Sequence, residues 1–502
     1  MLEYGILSRK HPLCDTDLFR QYDALYRGGK AFKGLLEQFL PVNPLEAPDT
    51  YALRKRQAAY RSYVGPIADF FAAQLFSSPF HVRAGVDGRT EAPDLFYAEL
   101  REDVDNAGTD MSTAMKARFL TALTKGVAWC VAELPDRQGV DPESLAEWNK
   151  RNLGRVRVLP LEPDDVLDWE VDSAGQLEWV ITHSKQLRRD DPRQARTLVT
   201  ETWKLYDAAN VETFSIVYDP TKATLREKDL IPSQGAKPHG FLRVPVIEMR
   251  LPEGLWLLNR TAAAQVEHFQ LSAAMSWAIK RTCYPVATFS TEEDDLPSVC
   301  AGSIIKIGKD EKFDWVSPPA TSFEVLAAQI YAQVLEIYRV AQQMAHGMNA
   351  SAAALDRSGD SKAADNAATE ICLTAYATHV REWIEDLLEL VSDGRGDIDV
   401  KFSIEGMKEF NLDSKTGNVN NIKTALDIGV PSKTLKKELY FGLVDLLIAD
   451  ASQATKDKIR EELEADAAKP DPKPVPAQIS PGLAPPPMPE QPPAKTPQPT
   501  AA

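Results

Sequence analysis

Nowhere in this chain do apolar residues run on for the roughly 18 positions that a membrane-crossing helix needs, so no membrane association is expected. Residues 1–12 lack the apolar centre of a secretory signal, and the protein is expected to stay in the cell that makes it. Cysteine is scarce: Cys14, Cys130, Cys283, Cys300 and Cys372 form an odd set without a CxxC pair. Buried thiols in a reducing cytoplasm are the simplest reading, with a Cys283–Cys300 bridge as the lesser alternative. The seven histidines are scattered; His268 and His379 lie in helical patterns and are expected to pack, not to ligate. Positive charge is in deficit, with 57 Lys and Arg against 73 Asp and Glu, a net charge of -16. That argues against a protein that grips duplex DNA, which needs clustered cations. It leaves open a channel through which DNA slides.

Catalytic signatures are missing too. There is no GxxxxGK[ST] phosphate loop, HExxH, GxSxG, or GxGxxG after a strand. No cofactor and no catalytic residue is therefore expected. Ser358-Gly359-Asp360-Ser361 looks superficially like a hydrolase turn, but no strand precedes it, and it reads as a helix cap. Asp397 and Asp399 sit two apart at a predicted strand. Hard cations take carboxylate oxygens, so a metal-dependent nucleic-acid enzyme is one alternative function; a solvated strand edge is the plainer reading. No internal repeat of 20–50 residues is visible.

What is present is a 502-residue chain, 44% hydrophobic and 26% charged, as in soluble proteins of two to four domains. Its most informative stretch is 255–390. Leu258, Ala262, Val266, Phe269, Ala273 and Trp277 share one helical face, and so do Phe323, Ala327, Ile330, Val334, Ile337, Ala341 and Met344. Between them, Pro285, Pro297, Pro318 and Pro319 forbid helix, so a small module is expected at the tip of a helical strut. A loop rich in small residues, 347–361, separates the second strut helix from a third long helix. It is longer than ordinary helix–helix links of about 2–8 residues.

The N-terminal third reads as mostly helical. Thr50 is expected to cap a helix running to about Phe76, kinked or split by Gly65-Pro66. Its basic residues Arg54, Lys55, Arg56 and Arg61 read as a solvated face with local ion pairs. A helix over 111–125 ends at Gly126, and a strand follows. Between 155 and 218 the period changes to two: Leu177, Trp179 and Ile181 alternate with Glu178, Val180 and Thr182. A hairpin is predicted around 207–210, and an edge strand over 241–249 because of Pro245. A short strand is expected over 398–404, then helices over 420–427, 432–441 and 443–466. Thirteen of the 35 prolines lie beyond residue 468, in a tail without aromatics that is expected to be disordered.

The order of these pieces resembles the portal proteins of tailed bacteriophages, over nearly the whole chain to about residue 466. The N-terminal block that carries the resemblance is Leu40-Pro41, Glu46, Tyr51, Arg54, Arg56, Ala59-Tyr60, Tyr63, Leu75-Phe76 and Pro79. It continues in Gly126 before a strand ending at Leu134-Pro135, then Pro163-Asp164-Asp165-Val166-Leu167-Asp168-Trp169 before a hairpin. Further matches are His239-Gly240-Phe241-Leu242-Arg243-Val244-Pro245-Val246, Glu267-His268-Phe269-Gln270-Leu271-Ser272-Ala273 and Ala363-Ala364-Asp365-Asn366-Ala367-Ala368-Thr369-Glu370.

The resemblance implies an α+β, mostly helical, portal-like fold. Residues 1–254 would be a wing of helices and β-hairpins. The first stem helix would span 255–280, a small α/β clip 281–322 and the second stem helix 323–346. A tunnel loop over 347–361, a long wing helix over 362–392, a helical crown over 393–468 and the Pro-rich tail over 469–502 would complete the chain. It implies a homo-oligomeric ring, typically a dodecamer, at one capsid vertex of the virion, assembled in the host cytoplasm. Partners would be the terminase large subunit, the head–tail adaptor, major capsid and scaffold protein. Double-stranded DNA would pass through the channel without tight binding during packaging and ejection. The DNA-facing loop would include Asn349, Ser351, Asp356, Arg357, Ser358 and Lys362. Docking at the clip would use Glu292, Glu293, Asp294, Asp295, Lys309 and Asp310. Besides the enzyme reading, a non-ring minor capsid or scaffold protein is the other alternative.

Overall fold

The computed structural model describes residues 1–77, 80–86, 95–135, 155–188, 198–221, 224–282, 286–290, 312–316, 320–341, 359–397, 400–407, 410, 415–428, 432–448, 455 and 458–463. The chain starts with strand β1 (Leu2–Glu3) and helices α1 (Tyr4–Leu7), α2 (Thr16–Arg27), α3 (Gly29–Gly34), α4 (Leu36–Phe39), α5 (Pro48–Gln57) and α6 (Val64–Leu75). Next come β2 (His81–Val86), α7 (Leu95–Glu102), α8 (Met111–Lys125), β3 (Val127–Glu133), β4 (Arg157–Leu161), β5 (Val166–Val171), β6 (Leu177–Arg188), β7 (Leu198–Tyr206) and β8 (Asn210–Tyr218). Short strands β9 (Leu230–Ile231), β10 (Ser233–Pro238) and β11 (Val246–Arg250) precede α9 (Leu257–Thr282). The remainder holds β12 (Val286–Ser290), β13 (Lys312–Val316), α10 (Ala320–Val340), α11 (Gly359–Arg395), β14 (Val400–Glu405), α12 (Lys415–Asp427) and α13 (Lys433–Leu447). The fold is α+β, and the chain divides into two units, Met1–Leu412 and Asp413–Ala502.

Strand β3 shows how the first unit is held together. Side chains alternate across a strand, and here both faces are covered. Ala128, Cys130 and Ala132 join the large core built by α2, α6, α8, α9 and α11, while Val127, Trp129 and Val131 join a second core with Trp169, Val180 and Tyr206. The strand therefore reads as a continuous apolar run, and it is the centre of the antiparallel sheet β11-β3-β4. Asp110 caps α8 through the Thr113 N–H at 2.9 Å. Gly126 ends that helix with φ 81°, and its missing side chain makes room for the Trp256 indole.

A five-stranded antiparallel sheet, β10-β8-β7-β6-β5, carries the period-two segment. Trp203 pairs across it with Phe214 and with His183, over a third core that includes Leu7 and Ile181. As predicted, β7 and β8 form the hairpin around 207–210. The strand predicted over 241–249 begins only after Pro245, and it is an edge strand against β3. The strand after α11 forms too: β14 pairs with the distant β2, Val400 opposite Val86.

Several local expectations need correction. The helix expected to start after Thr50 begins at Pro48, since proline is pre-set for the first turn. Its split from α6 falls at residues 58–63, not at Gly65-Pro66. Pro66 sits in the first turn of α6, where its missing N–H costs nothing. Arg54 is not solvated: it is 7% exposed, with Nε and Nη2 on Glu46 at 2.9 and 2.7 Å and Nη2 also on the Pro41 carbonyl at 2.7 Å. In the second unit, α13 runs unbroken through Gly442, where two helices were expected. A Cβ there would stand 3.9 Å from Ile422 of α12, an ordinary contact, so the close packing of the two helices does not demand glycine. The Pro-rich tail lies outside the described residues.

Candidate functional site

The strut predicted from helical spacing is present. Helix α9 has 26 residues, about 39 Å at 1.5 Å per residue, and packs along the 21-residue α10. At its far end, β12 and β13 pair antiparallel, Val286 opposite Val316. Helix α11 then runs for 37 residues, and Cys372, Leu373, Tyr376, Val380, Trp383, Ile384, Leu387 and Val391 form its buried stripe.

Polar groups clamp the root of α9 to the body. The Gln265 amide is fully buried. Its Oε1 accepts from the Tyr63 N–H at 2.8 Å and the Val64 N–H at 3.4 Å, and its Nε2 donates to the Arg61 carbonyl at 3.0 Å. Those N–H groups open α6, whose own N-cap side chain makes no bond, so Gln265 caps a helix about 200 residues away in sequence. Gln270 Nε2 donates to the Phe39 carbonyl at 2.9 Å, and Trp256 Nε1 to the Thr124 carbonyl at 2.9 Å. From α11, the Tyr376 hydroxyl donates to the Leu255 carbonyl at 2.9 Å. Where α9, α10 and α11 meet around Phe71 and Tyr376, only about 10 Å3 of void remains. Sequence patterning does not mark these clamps, because each joins segments far apart in the chain.

His268 packs, as expected. It is 4% exposed, edge-on to Tyr63 at 4.8 Å, and burial followed by the Arg61 charge pushes its pKa down, which keeps it neutral. His379 meets Glu382 at 3.1 Å within α11. Burial raises Cys14 and Cys372 to about 11 and Cys130 to about 12, so these three thiols are poor nucleophiles.

Burial along the strut is sharply graded. Leu258, Gln265, Phe269 and Ala273 are buried at the root of α9, and Ile337 and Ala341 at that of α10. Farther out, Val325 is 63% exposed, Tyr331 59% and Ile279 37%. Ala327, expected on the packed face, is exposed. The face of α10 toward α9 is carried instead by the half-buried Phe323, Leu326, Ile330 and Val334. At the root end of α10, Arg339 is paired to Glu336 at 2.6 Å.

Of the expected site residues, Asn349, Ser351, Asp356, Arg357 and Ser358, with Glu292, Glu293, Asp294, Asp295, Lys309 and Asp310, lie outside the described residues. Lys362 does not belong to a loop. It sits in α11, which starts at Gly359 and so shortens the predicted loop. Asp399 is outside the described residues. Asp397 is committed to structure, accepting from the Tyr97 hydroxyl at 2.7 Å and from Arg395 Nε at 2.9 Å. Among the described residues no cluster of three His, Cys, Asp or Glu side chains is arranged to hold a metal ion, and no helix is long and apolar enough to cross a membrane.

No protein-family model and no curated protein matches this chain. Among solved structures, it is similar to a chain in the neck of an empty gene transfer agent particle computed with C6 symmetry. Identity there is 12%, over 84% of this chain and 96% of that one, with a TM-score of 0.40. It is also similar to a chain of the native gene transfer agent virion, at 13% identity, 85% and 97% coverage and a TM-score of 0.35. A chain of the native particle's neck computed with C12 symmetry matches at 13% identity, 83% and 95% coverage and a TM-score of 0.35. Likenesses at this level assign no role to any residue here.

Proposed function

We propose that this chain is a portal subunit of a tailed-phage-like particle, assembling into a ring, typically of twelve copies, at one capsid vertex. The observation that carries the reading is the strut. Two long helices are clamped at the root by buried amides and aromatics, bear a β-hairpin at the tip, and leave Val325, Tyr331 and Ile279 uncovered farther out. Apolar side chains on a two-helix projection favour burial against another copy, and a ring does this by heterologous contacts that close on rotation. The sequence resemblance assigns 255–280 and 323–346 to the stem, 281–322 to the clip, 347–361 to the tunnel loop and 393–468 to the crown.

In this reading the ring conducts DNA during packaging and ejection. The clip carrying Glu292–Asp295, Lys309 and Asp310 docks the terminase large subunit and later the head–tail adaptor. The loop with Asn349, Ser351, Asp356, Arg357 and Ser358, and Lys362 just beyond it, faces DNA without gripping it. The net charge of -16 supports that last point, since few cations are on offer to displace the counterions of DNA. Negative-stain electron microscopy with native mass measurement tests the proposal. Rings with a central hole are the expected outcome. A uniform closed dimer without a hole, unchanged at high concentration, sinks it.

A further inference from the structure

Away from the strut, a cleft of about 510 Å3 opens where the three-stranded sheet meets the outer edge of the five-stranded one. Strands β3 and β4 bring Glu133 and Arg157 to it, β7 brings Lys204 and Tyr206, and β10 brings Lys237. Glu133 organises the floor. Its Oε2 accepts from Arg157 Nη2 at 2.7 Å and its Oε1 from Lys204 Nζ at 2.8 Å. Burial opposes the Glu133 charge, but Lys204 and Arg157 outweigh it and hold the carboxyl below its ordinary range. Burial raises the Tyr206 phenol to about 12, so it stays a neutral hydroxyl. The Phe241 N–H donates to His239 Nδ1 at 3.1 Å, and His239 Nε2 meets the Asp207 carbonyl at 2.9 Å.

Two features make this more than an internal ion pair. The Glu133 side chain is 17% exposed, while Arg157 keeps 50% and Lys204 39% of theirs open, so both cations retain donors toward the cleft. Arg157 and Lys204 share one carboxylate, in a chain whose overall balance is acidic. Leu134, Pro135, Val211 and Pro238 supply an apolar wall beside them.

We propose that this cleft binds an acidic polypeptide segment of a partner protein. The segment's carboxylates lie against Arg157 and Lys204, and its apolar side chains lie on the wall. A polypeptide fits better than a polyanion for two reasons. The net charge of -16 repels a nucleic acid more strongly than a short segment with two or three carboxylates. The cleft also borders β10, which has one strand neighbour among the described residues and so presents an outer backbone edge to an extended chain.

Fluorescence polarisation of the full chain with a labelled Glu-Leu-Asp-Leu-Glu-Leu peptide tests this, with the Gln-Leu-Asn-Leu-Gln-Leu peptide as comparison. Saturable binding of the acidic peptide alone is expected. Arg157→Gln and Lys204→Gln weaken it by about fivefold or more, the scale of one charge pair. Glu133→Gln strengthens it, because both cations are released from their internal partner. That gain cannot arise from misfolding. Equal binding of both peptides, no saturation below about 1 mM, or weaker binding by Glu133→Gln overturns the proposal. So does full displacement of the peptide by single-stranded DNA at matched charge.

Discussion

The amide of Gln265 satisfies two backbone donors and one backbone carbonyl at the start of α6, all within one buried patch. Gln265→Leu keeps the volume but leaves these groups without partners or water, which costs about 2–4 kcal/mol. Urea unfolding is expected to show that loss, while Gln329→Leu on the exposed side of α10 changes stability by less than about 0.5 kcal/mol. A different residue sets a pH dependence. The Asp165 carboxyl is raised to about 6 by burial, then by Asp164 and Glu162, against 3.8 for the ordinary group. A raised carboxyl favours the folded state when protonated. Its contribution is complete below about pH 4 and is lost as pH rises through about 6. Ionised Asp165 is thus a burden at neutral pH, and Asp165→Asn is expected to stabilise the chain there by about 1–2 kcal/mol after discounting for partial exposure. The gain should vanish near pH 4; an equal gain at both pH values refutes this origin. Neither residue stands out in the sequence, since a glutamine in a helix and one aspartate among three acids look alike whether solvated or buried.

Helices α9, α10 and α11 were legible as elements because apolar spacing of three and four encodes a face, whatever that face meets. What the spacing cannot encode is which part of a wide apolar arc turns inward. Helix α10 carries Phe323, Val325, Leu326, Ala327, Ala328, Ile330 and Tyr331 on such an arc, and packing on α9 selects Phe323, Leu326 and Ile330 and leaves Val325, Ala327 and Tyr331 outside. In the proposed ring, those outward residues would meet a neighbouring copy. The double substitution Val325→Glu and Tyr331→Glu is expected to leave the melting temperature of the isolated chain nearly unchanged, since both side chains are already in water. It should abolish large assemblies in native mass measurements by placing charge in a desolvated contact. Rings that persist in the double variant would move the subunit contact to another face. The split between α5 and α6 shows the same limit: proline announced a break nearby, but the clamp from Gln265 fixes where α6 starts.

The molecule as a whole is acidic, yet its buried cations are spent internally. Arg54 is held by Glu46, Arg118 by Glu162, and Lys125 by Glu162 and Asp164. In the sequence Arg54 reads as a surface charge, because local patterning records residue type and not what folds over it. The sequence by itself determined the α+β class, the change of period that marks the strand-rich region, the hairpin at 207–210, and the three long helices with a strand pair between the first two. Each of these follows from spacing, proline or glycine acting over a few residues. Only the tertiary structure decided that β3 is covered on both faces, that β14 finds β2 over 300 residues away, and that α9 caps α6. It alone also brought Glu133, Arg157 and Lys204 around one cleft. Those outcomes depend on which apolar faces and buried polar groups satisfy one another at once. That choice is collective, and no local stretch of chain carries it.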